Sequence, residues 1–91
     1  MKIRSIIEMD NGMKYCLPTD LEEVNYDINN SEGMIPVNAI CVETEHQTIW
    51  NLKGISDNKQ CYTEESILIN PLHIVSIIPA CIDLDEDKYI C

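Results

Sequence analysis

The chain has 91 residues, 45% of them apolar, and sixteen acids against six bases give a formal net charge of −10. That length fits one domain with a modest core, and the apolar share argues against disorder. The charge disfavours contact with phosphate backbones or anionic membrane surfaces, and no apolar run approaches the length of a membrane span.

Aromatic residues are few: Tyr15, Tyr26, Trp50, Tyr62 and Tyr89, with no Phe. The core must then be aliphatic, and abundant Ile and Val with only three glycines favour a sheet over a helical bundle. Met1 is followed by Lys-Ile-Arg-Ser-Ile-Ile-Glu, which lacks the apolar stretch of a secretory signal. The expected compartment is the cytosol, and the expected state of the five cysteines is reduced and mostly buried.

In chain order, residues 3–9 read as a strand and residues 13–17 as its partner. Asp10-Asn11-Gly12 between them is the sharpest turn signal in the chain, because Asn-Gly accepts the positive φ angles of a tight hairpin. Pro18 ends the second strand. Thr19 and Glu22 have the spacing of a capping box, so a short helix is expected to open at Thr19. Leu21, Val24 and Ile28 fall on one face of it, and Asp20, Glu22 and Glu23 suit the positive end of its dipole. Asn29 to Gly33 read as a loop.

From Met34 the strand pattern returns, with Ile35, Val37, Ala39 and Cys41 on one face. Pro36 lacks an amide hydrogen and belongs at a sheet edge or before the strand proper. Residues 43–46 look like a turn, and residues 47–55 like a returning strand with Trp50 and Leu52 on one face. Residues 56–60 are a polar turn, and a further strand begins at Cys61 or Ser66. It leads into the most apolar stretch of the chain, Ile67 to Pro79, which is expected to be buried on both faces. Asn70-Pro71 should split that stretch into two strands. The expected fold is mainly β (α+β): a small antiparallel sheet or partly open β-barrel with one short helix over one end. It spans residues 1–91 as a single domain, with 83–91 as an acidic C-terminal segment.

No site constellation for catalysis stands out. Zinc ligands usually come as close pairs, yet there is no Cys-x-x-Cys and neither His46 nor His73 lies within four residues of a cysteine. No metal or cofactor is expected. Asp83-x-Asp85-x-Asp87 has the opening rhythm of a calcium loop, but Lys88 stands where the loop needs glycine for its turn. Pairing of Cys16, Cys41, Cys61 or Cys81 with a histidine cannot be read from spacing, and His73, inside an apolar run, reads as a core or edge-strand residue. A Gly-rich phosphate loop is missing too, so the chain reads as a non-enzyme.

The charge distribution is more informative. Residues 19–32 hold five acids and no base, and residues 83–91 hold four acids and one base, so these 23 residues carry −8 of the net −10. If folding gathers them on one face, Asp20, Glu22, Glu23, Asp27, Asp83, Asp85, Glu86 and Asp87 form a surface for a basic protein partner. The stretch Asn70-Pro71-Leu72-His73-Ile74-Val75-Ser76-Ile77, following an Asn-Gly hairpin, resembles small acidic β-barrel proteins of phages and prophages. That resemblance implies an inhibitor of a host defence protein, such as a nuclease, acting on its basic nucleic-acid-binding site from within the bacterial cell. It carries over no functional residue. The competing reading is an oligomeric β-barrel binding a small ligand at a subunit junction lined by Trp50, Tyr62 and His73.

Overall fold

The structure is a computed structural model that describes residues 2–43, 48–50 and 61–83. Alternating apolar residues at the start of the chain form β1 (Lys2–Met9), which pairs antiparallel with β2 (Lys14–Leu17). The turn between them is a three-residue loop. Gly12 N–H donates to the Met9 carbonyl at 3.0 Å, and Met9 N–H donates to the Met13 carbonyl at 2.8 Å. Gly12 has φ +87°, where a side chain is strained even though nothing lies within 4 Å of its would-be Cβ. The obstacle to a substitution there is therefore conformational and not steric crowding. Gly12→Val is expected to lower stability by about 1 kcal/mol or more, read as a drop in the urea midpoint; an unchanged midpoint would count against the turn.

Helix α1 (Leu21–Asn29) follows, and its cap lies one residue later than the sequence pattern suggested. Asp20, not Thr19, is the N-cap: its carboxylate accepts the Glu23 amide at 3.0 Å. Asp meets the same requirement as Thr, an oxygen acceptor for an otherwise unpaired amide. Thr19 is occupied differently, its carbonyl accepting the Ser5 hydroxyl at 2.7 Å. Leu21, Val24 and Ile28 do share the inward face, with Val24 buried and the other two half-buried.

β3 (Ile35–Glu43) is the hub of the second half. It pairs along its whole length with β5 (Cys61–Ile69), from Ile35↔Ile69 to Glu43↔Cys61. Among the described residues its other edge meets β2 only at Cys16↔Ile40, and the two-residue β4 (Thr48–Ile49) at Val42↔Ile49 and Glu43↔Thr48. Pro36 thus lies within the strand, opposite Leu68 of β5 and away from the single β2–β3 pair at Cys16↔Ile40. The turn expected at 43–46 and the remainder of the 47–55 strand, Leu52 included, fall largely outside the described residues, as does the polar turn at 56–60.

Asn70-Pro71 breaks the apolar stretch as expected. Pro71–His73 make one 3₁₀ turn, with Asn70 capping it through its side chain to the Leu72 amide at 3.0 Å. The chain then enters β6 (Ile74–Asp83), antiparallel to β1. The sheet order is β4-β3-β2-β1-β6 with β5 on the far side of β3. All pairs are antiparallel and the sheet does not close into a barrel.

The expected burial of Ile67 to Pro79 on both faces is overturned. Only Ile69 is buried in that stretch, while Leu68 is 64% exposed, Leu72 90% and Val75 62%. The reason lies in the topology. Among the described residues β5 and β6 each pair on one side only, and β6 pairs with β1 through two register shifts, one beside Val75 and one between Pro79 and Ile82. Each shift inserts a residue and turns the inward positions, so Ile74, Ile77 and Ala80 are the half-buried residues of β6, at intervals of three.

Among the described residues two apolar clusters result. The larger gathers Ile7, Met9, Leu17, Val24, Ala39 and Ile69 beneath α1, with Ile74 and Ile77 of β6 packed against it. The smaller joins Cys16 and Ile40, cross-strand partners, with Ile3. Ile6, opposite Cys16, packs on it from the face of β1 opposite to Ile7.

Candidate functional site

The acidic positions named from the sequence begin at the start of α1. Asp20, Glu22, Glu23 and Asp27 are all exposed, and no basic residue occurs in the helix. The helix start is anchored to the sheet by the Ser5–Thr19 bond. Three residues along the same strand, Lys2 faces Asp83 across the β1–β6 pair, with an ion-pair distance of 3.9 Å. A strand rises about 3.3 Å per residue, so Thr19 and Asp83 attach to β1 about 10 Å apart along it. The N-terminal acids of α1 and Asp83 therefore lie towards the same end of the sheet. Asp83 is 81% exposed in its side chain, so its bond to Lys2 is screened and weak. Asp85, Glu86 and Asp87 fall outside the described residues.

Beside α1 lies a cleft of about 330 Å³ lined by Leu17, Thr19, Glu23, Val24, Asp27, Pro36, Val37 and Asn38. Glu23 and Asp27 stand one helical turn apart and both line it, while Val24, Pro36 and Val37 add apolar surface to a lining that is mostly polar. The sequence marks both acids as part of the charged 19–32 segment, but the β3 residues opposite them are not legible without the fold. A second cleft of about 350 Å³ lies at the other end of α1, between Ile28, Ser31 and Gly33 and the 3₁₀-turn residues Pro71 and Leu72.

The residues of the competing ligand reading are placed apart. Trp50 packs edge-on against Tyr15, ring centroids 5.8 Å apart, on the larger cluster. Tyr62 packs on the smaller cluster. His73 is exposed at the 3₁₀ turn, where its Nδ1 meets the Asp10 carboxylate at 2.7 Å and its carbonyl accepts the Asp10 amide at 2.8 Å. It is neither a core residue nor within the strand. Neither cleft described above is lined by any of the three.

Cys16 and Cys41 are buried and Cys81 is exposed, and none of these three is in a disulfide. The Cys41 thiol lies 3.2 Å from the Thr63 hydroxyl across the β3–β5 pair. Among the described residues no group of three or more His, Cys, Asp or Glu is disposed to hold a metal ion, and no helix is long and apolar enough to cross a membrane. No family model matches the chain, and no curated protein or solved structure matches it.

Proposed function

We propose that the chain is a non-enzymatic binding protein whose acidic α1 surface occupies a basic site on a partner protein. The supporting observation is the Glu23–Asp27 pair lining a mostly polar cleft to which Val24, Pro36 and Val37 add apolar surface. An arginine or lysine side chain has the matching two-part character, an aliphatic stem below a cationic head. In the favoured version, prompted by the resemblance to phage and prophage proteins, the partner is a host defence nuclease or other nucleic-acid-binding protein. There the carboxylates stand in for phosphates, inside the bacterial cytoplasm.

Glu23 and Asp27 are exposed and their side chains make no cap, so neutralising them leaves the helix intact. Glu23→Gln with Asp27→Asn is expected to weaken capture of the partner from a bacterial lysate by about tenfold or more. Glu64→Gln with Glu65→Gln removes equal charge from β5 and serves as the control. Equal losses would indicate a diffuse charge effect. No loss from either pair would remove the proposal.

A further inference from the structure

β5 and β6 each have one side unpaired among the described residues, and they differ in what they present to a second copy of the chain. β5 carries exposed Glu64 and Glu65 mid-strand, so two copies meeting along it would set carboxylate against carboxylate. β6 carries no charged residue from Ile74 to Ile82. Of the acids nearest its two ends, Asp83 lies 3.9 Å from the Lys2 ammonium and the Asp10 carboxylate meets the His73 Nδ1 at 2.7 Å. Among the described residues no strand pairs with its side away from β1, and Val75, Ile78 and Ile82 are each at least 45% exposed. For a chain of net charge −10, this is a strand along which two copies can meet without setting carboxylate against carboxylate between Ile74 and Ile82.

We propose that β6 is a homodimer interface, with the β6 strands of two copies running antiparallel about a two-fold axis near Ser76. Antiparallel contact between identical strands is self-complementary and closes at two. Pro79 has no N–H to share, so the common ladder runs along Ile74 to Ile78 and sets Ile74 of one copy opposite Ile78 of the other. Val75 and Ile78 become covered, which removes the exposed apolar edge that a monomeric sheet protein would otherwise carry. The contact uses residues distinct from the acidic helix and does not rest on the partner proposed above.

Sedimentation velocity of the full chain through the micromolar range tests this. A concentration-dependent dimer is expected, and Val75→Lys with Ile78→Lys should raise its dissociation constant by about tenfold or more. Those two lysines bring the net charge closer to zero and would ease general repulsion, so only a local contact predicts weakening. Glu64→Lys changes the charge by the same amount on β5 and should leave the dimer intact. Amide exchange on the unmutated chain gives a readout free of folding defects: the amides from Ile74 to Ile78 should exchange more slowly as concentration rises. A monomer throughout, a trimer or larger species, a dimer that survives both lysines, or exchange in β6 independent of concentration would overturn the proposal.

Discussion

Ile7→Ala is expected to lower the stability of the fold by about 2–5 kcal/mol, the usual cost of emptying a closed aliphatic site. Ile7 is fully buried, paired with Tyr15 on one side and Ile77 on the other, and sits in the larger cluster beneath α1. Strands on both sides fix its neighbours, so little collapse can fill the space left by three carbons. For a domain of this size each kcal/mol moves the melting temperature by about 4–8 °C, so the shift should be large in a thermal scan. Leu68→Ala is the matched comparison. Leu68 belongs to the most apolar stretch but is 64% exposed, and its truncation should cost less than about 1 kcal/mol. Equal losses at the two positions would mean that the outer strands are covered after all.

Ser5→Ala is expected to cost about 1–2 kcal/mol, measured by urea unfolding. Ser5 is fully buried, and its hydroxyl donates to the Thr19 carbonyl at 2.7 Å, joining β1 to the residue before the helix cap. Alanine deletes the donor and leaves that carbonyl without its partner. The loss stays towards the lower end of the usual range because Thr19 is only half-buried, so water can partly replace the bond. Ser31→Ala removes a longer, exposed bond to the Gly33 carbonyl and should change stability by no more than about 0.5 kcal/mol. A Ser5 variant as stable as the Ser31 variant would show that the helix start needs no tie to the sheet.

Local signals in the sequence read well where the physics is local. Asn11-Gly12 marks the hairpin because Gly12 alone can adopt its backbone angle cheaply, and Asn70-Pro71 marks the break because Pro71 suits the first position of a 3₁₀ turn. The helix was legible from Leu21, Val24 and Ile28, and the cap was misplaced by one residue because Thr19 and Asp20 are both competent acceptors. Burial of Ile67 to Pro79 was misread because hydrophobicity gives composition, whereas exposure depends on strand order. Two register shifts and an outer position leave Val75 and Ile78 outside. The candidate site was legible as charge on α1 but not as a cleft, since Pro36, Val37 and Asn38 reach it only through the pairing of β3. The Asp10–His73 and Ser5–Thr19 ties join residues whose proximity no spacing rule reports.

The pairing of β1 with β6 also shapes how this chain must be made. Synthesis produces β1 first and β6 last among the described strands, yet they are neighbours from Lys2↔Asp83 to Met9↔Ile74. Until β6 emerges, β1 has only β2 beside it, and a lone hairpin is marginal in water. Each doubling of the intervening loop adds only about 0.6 kcal/mol of closure entropy, so the delay is one of sequence order more than of cost. Folds dominated by such distant pairings fold in milliseconds to seconds, whereas helical bundles take microseconds to milliseconds. On the ribosome, Ile3 and Ile7 therefore remain unshielded along the β6 side until β6 has emerged, an interval in which exposed apolar surface and an unpaired strand edge favour aggregation.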